Sequence, residues 1–169
     1  IEKYGEVELY QLLAQAYQLT GKNDLALDAV KRGVDSNPDS SLAHFNYAAY
    51  LHDSGMNSNA LDVVNRGLVL SPDNISGLKL KIGVLGALKH TQNLKNTLLR
   101  FKEQYKNDFF GYYSMGEVFF SEEKYNKAID EFNMALKFLE PSLPGLLSMS
   151  MTTRPSHDTA QLVKPLSVP

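Results

Sequence analysis

The histidines and carboxylates are the side chains of this sequence that could act as general acids, general bases or metal ligands. The four histidines lie far apart, at His44, His52, His90 and His157, so spacing groups none of them with a carboxylate and a nucleophile. His52 and its neighbour Asp53 would point about 100° apart on a helix, so they cannot share one metal ion. The sequence therefore predicts no catalytic centre and no metal site.

Other motifs of enzymes are missing from the sequence as well. It contains no cysteine, which excludes disulfides, thiolate catalysis and cysteine-ligated metals. Glu122 and Glu123, like Glu2 and Glu6, are interpreted as solvated surface carboxylates. No glycine-rich phosphate loop or dinucleotide-binding turn occurs. We therefore expect the chain not to be an enzyme and to need no cofactor.

Composition narrows the classes of partner. The formal net charge is −2, which lacks the basic footprint of a nucleic-acid-binding protein. The apolar fraction of 43% is ordinary, and no apolar run approaches the ~20 residues that span a bilayer. We expect no signal segment ahead of the first helical pattern in this sequence. We expect neither nucleic-acid binding nor membrane insertion, and the compartment stays open.

Identical residues recur at a spacing of 34 along the chain. Six pairs share this spacing: Gly21 and Gly55, Ala26 and Ala60, Val30 and Val64, Gly33 and Gly67, Pro38 and Pro72, and Asp39 and Asp73. A fixed period of this length is typical of repeat proteins, in which each unit packs against the next. The frame predicts a lead-in at 1–6, repeat units at 7–40, 41–74, 75–108 and 109–142, and a tail rich in Pro, Ser and Thr at 143–169.

Each unit has the pattern of two amphipathic helices joined by a turn. Gly21 is expected to end the first helix in a left-handed C-cap, and Asn23-Asp24 to start the second helix by capping it. Pro38 disfavours helical backbone at Asn37 and is expected to end the second helix there. The sequence therefore predicts a series of helical hairpins.

These residues resemble the motif of the tetratricopeptide repeat family. The structural positions of that motif are filled here by Tyr17, Gly21, Ala26, Pro38, Gly55, Ala60, Pro72, Gly116, Tyr125 and Ala128. The third unit is degenerate, because Lys89, Leu94, Phe101 and Lys106 replace the Gly, Ala, Ala and Pro of the motif. The resemblance covers 7–142 and implies an all-α fold, a right-handed α-α superhelix of antiparallel helix pairs.

In this family, the first helix of each pair lines a concave groove that holds partner peptides. The groove-facing residues that the family's frame implies are Gln11, Leu12, Gln15, Leu42, Phe45, Asn46, Ala49, His52, Lys79, Leu80, Phe110, Tyr113, Ser114 and Glu117. They combine apolar anchors with amides, which suits an extended or helical peptide that presents apolar side chains. We expect charge-neutral substitutions at Phe45 and Tyr113 to weaken binding without unfolding the protein. The alternative is that such residues only pack against the adjacent helix.

One well-known subclass of the family grips the C-terminal carboxylate of chaperones with two Lys, one Arg and two Asn. The corresponding places here are Gln11, Gln15, Asn46, Ser76 and Leu80. Only Asn46 matches, and all three cations are missing, so the charge-assisted hydrogen bonds of that clamp are lost. We therefore expect the groove not to bind a chaperone tail.

The resemblance implies a scaffold or adaptor whose partner is another protein or peptide segment. Two alternatives stay open: a self-assembly module that binds a second copy, and a regulatory or targeting domain of a larger enzyme. We also hypothesise that part of the chain's own tail, Leu143 to Met151 or Leu162 to Val168, docks on the repeats of this molecule or a neighbour. An incidental tail segment is the competing interpretation.

Overall fold

The computed structural model describes residues 4–139, and these residues form eight α-helices. The helices are α1 (Tyr4–Leu19), α2 (Asn23–Ser36), α3 (Ser41–Asp53), α4 (Asn57–Leu70), α5 (Ile75–Ala87), α6 (Thr91–Gln104), α7 (Phe109–Ser121) and α8 (Tyr125–Leu139). The predicted all-α fold of paired helices is confirmed. The tail at 143–169, and with it the docking hypothesis, lies outside the described residues.

The helix positions follow the period seen in the sequence. The second helices of the pairs begin at Asn23, Asn57, Thr91 and Tyr125, each 34 residues after the one before. The first helix, α1, already includes Tyr4 to Glu6, which the sequence assigned to the lead-in at 1–6. The repeat boundaries themselves stay a prediction.

The helices are arranged in two layers. Each helix packs against its neighbours in the chain, and α3 also contacts both α1 and α5. Within residues 4–139, the even-numbered helices contact only their chain neighbours. The odd-numbered helices at α1 to α5 therefore form the closer-spaced inner layer, the layer that becomes concave when helix pairs stack into a superhelix.

The turns within the four hairpins share one backbone conformation. The second residue after the first helix of each hairpin has a positive φ value, between 56° and 78°; these residues are Gly21, Gly55, Lys89 and Glu123. In the first hairpin, the Lys22 N–H donates to the Tyr17 carbonyl at 2.8 Å, which closes a Schellman motif. Equivalent bonds run from Met56 to Leu51, from His90 to Leu85 and from Lys124 to Phe119. The predicted left-handed helix stop at Gly21 is confirmed, and it persists where glycine is absent.

The predicted capping of α2 by Asn23 and Asp24 is wrong. The residue at the N-cap is Lys22, and its side chain makes no capping hydrogen bond. The Schellman closure uses the N–H of Lys22, so α2 starts directly after it and Asn23 already lies in the first turn. Asp24 then acts through its charge near the helix N-terminus rather than as a cap.

Substituting Lys89 by glycine is expected to stabilise the protein by about 1 kcal/mol, because glycine adopts a positive φ without the Cβ strain of other residues. Chemical denaturation followed by circular dichroism measures the change in the free energy of unfolding. Lys31→Gly is the matched control: Lys31 lies exposed within α2, where glycine should destabilise by about 1 kcal/mol. Equal effects of the two substitutions would show that the backbone at Lys89 is not strained.

The turns between hairpins also repeat, with a side chain capping the next helix. Ser40, Asn74 and Asp108 are the N-caps, and their side chains accept hydrogen bonds from Ala43, Gly77 and Phe110 N–H groups at 2.9 to 3.2 Å. The predicted end of α2 before Pro38 is confirmed, since α2 stops at Ser36 and Asn37 is not helical. The turn after α6 has the same form without a proline. The hydroxyl of Tyr105, in this turn, donates to the carbonyl of Asp73, in the turn after α4, at 2.6 Å.

Candidate functional site

A cavity of about 300 Å³ opens between α3 and α5 on the inner layer. It is lined by Leu42, Phe45, Asn46, Ala49, Asn74, Ser76 and Leu80. Five of them, Leu42, Phe45, Asn46, Ala49 and Leu80, are predicted groove residues, and Ser76 is one of the places compared with the chaperone clamp. Residues of two neighbouring hairpins, on α3 and at the start of α5, therefore surround one space.

Phe45 forms the floor of this cavity and is 7% exposed. Its ring packs so closely against Gly67 of α4 and Gly77 of α5 that a Cβ added to either glycine would lie 2.5 Å from a ring atom. Because the ring fills the junction between two hairpins as well as facing the cavity, we now expect a Phe45 substitution to destabilise the fold, unlike the sequence-based expectation.

Two amides supply the polar part of the lining. The Asn46 Nδ2 is buried and has no hydrogen-bond partner among residues 4–139. Rotation of this amide can thus present a donor or an acceptor to the cavity without breaking an existing hydrogen bond. Asn74 uses its Oδ1 to accept from the Gly77 N–H at 2.9 Å, which leaves its Nδ2 free to donate. The sequence pattern marked Asn74 only as part of a turn, so its place beside the cavity was missed.

A second cavity of about 440 Å³ adjoins the first at the other side of α3. Val7 of α1 and the turn from Asn37 to Leu42 line it, and Leu42 belongs to both cavities. On α1, the predicted groove residues Leu12 and Gln15 are exposed and Gln11 is half-buried. The two cavities and the exposed face of α1 form what we call the inner groove.

Four predicted groove residues, three of them around α7, are occupied by contacts within the protein. The Lys79 Nζ lies 2.7 Å from the Asp108 carboxylate and 5.1 Å from the centre of the Phe110 ring. Phe110 packs edge-on against Phe101, and Ser114 is buried. Lys79, Phe110 and Ser114 therefore hold α5, α6 and α7 together instead of presenting a surface. At α3, His52 Nδ1 is likewise engaged, 2.6 Å from Asn57 Oδ1.

Tyr113 and Glu117 remain on the exposed surface of α7. The Tyr113 hydroxyl donates to the Glu117 carboxylate at 2.9 Å, and this hydrogen bond together with the carboxylate's charge raises the pKa of Tyr113. The hydroxyl consequently stays protonated at physiological pH. These two residues extend the predicted surface beyond the inner groove but line neither of its cavities.

Within the described part of the chain, no cluster of three or more His, Asp or Glu side chains could hold a metal ion. The same residues include no helix with the length and apolar character needed to cross a bilayer.

A model of the tetratricopeptide repeat family matches residues 7–40, the first hairpin of the fold. This match covers α2 and most of α1 together with the turns that follow each of them. No curated protein matches the sequence significantly.

Several solved structures share the fold. A crystal structure of MamA aligns with a TM-score of 0.69 at 17% identity, covering 80% of each chain. MamA from Desulfovibrio magneticus RS-1 aligns at 0.67 and 20% identity over 80% of this chain and 76% of its own. Pseudomonas aeruginosa PilF aligns at 0.67 and 15% identity over 79% of this chain and 61% of its own. At these identities the likeness establishes the superhelical fold.

Proposed function

From the family match at 7–40 and the shared superhelical fold, we propose that the chain is a tetratricopeptide repeat protein that acts as a scaffold or adaptor, holding a segment of a partner protein in the inner groove. The observation that carries this proposal is the cavity between α3 and α5. It combines the half-exposed side chains of Leu42 and Leu80 with two amides that have hydrogen-bonding capacity to spare.

The lining favours a peptide of low charge with an apolar anchor. An aliphatic or aromatic side chain would fill the space above Phe45, and the amides of Asn46 and Asn74 would bond the peptide backbone. Among residues 4–139, no acidic or basic side chain lines this cavity. A charged partner side chain would lose its hydration there without gaining a counter-ion, so charged anchors are disfavoured.

Replacing Leu42 by aspartate is expected to weaken peptide binding at least tenfold, or about 1.4 kcal/mol. The new carboxylate would lose its hydration when the apolar anchor of the peptide binds beside it. Leu42 is the second residue of α3, where a negative charge suits the helix N-terminus, so the fold should be kept. The measurement is display selection of random peptides on the wild-type chain, followed by titration of the selected peptides against both proteins.

Val69→Asp is the matched control for this experiment. Val69 is 80% exposed on α4, outside the inner groove, and gains the same charge. Groove binding predicts that this variant keeps the wild-type affinity for the selected peptides. If Val69→Asp and Leu42→Asp lose equal affinity, or if neither loses any, the peptides bind elsewhere.

The first and the last described helices, α1 and α8, expose apolar residues. This exposure favours self-assembly as a second candidate function. Leu9, Leu13 and Leu19 are exposed on α1, and Ile129 and Leu136 on α8. A contact between α1 of one copy and α8 of the next would cover both faces in a head-to-tail arrangement. Sedimentation of a monomer that does not associate with rising concentration would rule this function out.

A further inference from the structure

A polar cavity of about 270 Å³ lies on the opposite side of α5 from the inner groove. It is enclosed by α4, α5 and α6, and its lining consists of Leu61, Asn65, Lys81, Leu85, Asn93, Asn96, Thr97 and Arg100. None of these residues takes part in the proposed peptide groove. Two of them are cations, and none carries a negative charge.

The two cations lack counter-ions inside the described structure. Neither Lys81 nor Arg100 forms a salt bridge with any carboxylate of residues 4–139. Burial, and to a smaller extent the charge of Arg100, lower the pKa of Lys81. The protein therefore holds the half-buried charge of Lys81 near the like charge of the exposed Arg100, which is unfavourable for Lys81 unless an anion joins them.

Amide groups around the cations can contribute further donors. Asn93, Asn96 and Arg100 recur at intervals of three and four residues, which places them on one face of α6. The Asn96 Oδ1 already accepts from the Gln92 side chain at 3.2 Å, so the remaining hydrogen-bonding group of Asn96 is its Nδ2 donor. The Thr97 hydroxyl donates to the Asn93 carbonyl and is not available as a donor.

The same positions in the neighbouring hairpins show that the fold requires neither a cation at Lys81 nor an amide at Asn96. The residues 34 before and after Lys81 are Tyr47 and Met115. The residues 34 before and after Asn96 are Asp62 and Asp130. The junction around α5 thus replaces an apolar side chain with a cation and a carboxylate with an amide, and both replacements favour an anion.

We propose that this cavity binds a phosphate-type oxyanion, held by Lys81, Arg100 and the amides of Asn65, Asn93 and Asn96. Charge-assisted hydrogen bonds from an ammonium and a guanidinium group are the usual basis of phosphate recognition. The volume of the cavity is larger than that of a bare phosphate ion, but it is small among the volumes of small-molecule sites. A small phosphorylated compound therefore fits it better than a macromolecule. This site is independent of the groove and of the proposed scaffold function.

The test is a nuclear magnetic resonance titration of the isotope-labelled chain with inorganic phosphate, with glycerol 3-phosphate and with chloride at equal ionic strength. Either phosphate probe should give saturable shifts in the amide signals from Asn93 to Arg100, with a Kd of roughly 1 to 10 mM for inorganic phosphate. Tighter binding of glycerol 3-phosphate would identify a phosphomonoester as the source. Equal binding of the two probes would identify free phosphate.

The Lys81→Met variant should weaken phosphate binding at least about tenfold. It is expected to fold, since Met115 is buried at the equivalent place one repeat later. It should also raise the thermal midpoint in phosphate-free buffer, because it removes a partly buried, uncompensated cation. Lys31→Met, at an exposed lysine of α2, should leave phosphate binding unchanged. Shifts that do not saturate, equal shifts with chloride, or unchanged binding by Lys81→Met would overturn the proposal.

Discussion

Replacing Phe101 by glycine is expected to destabilise the protein by at least about 4 kcal/mol. Loss of a buried phenyl ring costs about 3–5 kcal/mol, and glycine within a helix adds about 1 kcal/mol. Phe101 is 1% exposed and lies 4.8 Å from the Tyr105 ring and 5.8 Å from the Phe110 ring. Urea denaturation followed by circular dichroism measures the loss, and Phe101→Leu, with a smaller loss, supplies a value if the glycine variant does not fold.

A second substitution should restore part of this stability. At the preceding junction, the aromatic ring comes from Phe45 of α3 and the facing residue of α4 is Gly67; the corresponding residues here are Lys79 and Phe101. Lys79→Phe combined with Phe101→Gly therefore copies the Phe45–Gly67 arrangement. We expect the double variant to recover about 1–2 kcal/mol relative to Phe101→Gly, despite the lost Lys79–Asp108 ion pair. Purely additive effects would show that the two junctions are not interchangeable.

Replacing Gly77 by alanine is expected to destabilise the protein by about 1–3 kcal/mol. The added methyl group would lie 2.5 Å from the Phe45 ring, which is buried and has little room to move. Since Phe45 is also the floor of the cavity between α3 and α5, the same change should weaken peptide binding. Chemical denaturation and peptide titration measure the two effects on one variant.

Gly86→Ala provides a control within the same helix. A Cβ at Gly86 would meet no atom within 4 Å, so only the higher helix propensity of alanine should act there. We expect this variant to be more stable than the wild type by up to about 1 kcal/mol. If both alanine variants were stabilised, the Phe45 ring would not be confined by Gly77.

Much of the fold could be predicted because the repeat imposes the same packing every 34 residues. Gly21 and Pro38 mark helix ends by local backbone preferences, which act independently of the rest of the chain. The start of α2 could not be placed in the same way, because the N-cap at Lys22 follows from the hydrogen bonds that close the preceding helix.

The third hairpin shows what a motif comparison misses. Phe101 occupies a place where the motif has alanine, which made the unit seem degenerate. The structure shows that Gly111 of α7 makes room for the ring, since a Cβ there would lie 2.9 Å from Phe101. This compensation joins two residues on different helices, so no pattern within one helix reveals it.

The candidate site could be predicted only in part, again because contacts between helices are not visible in the pattern of one helix. The frame assigned Leu42, Asn46 and Leu80 to the inward helix face, and these three residues line one cavity. The frame does not indicate which side chains already make contacts within the protein. Lys79 is bound by the Asp108 cap, and Ser114 is buried by local packing.

The most direct test of groove binding is to map a display-selected peptide on the isotope-labelled chain by nuclear magnetic resonance. Binding in the inner groove predicts the largest amide shifts at the α3 and α5 residues that line the cavity, from Leu42 to Ala49 and from Ser76 to Leu80. It also predicts contacts between peptide protons and the side chains of Leu42 and Leu80. Shifts confined to the even-numbered helices, the exposed apolar face of α8 among them, would contradict it.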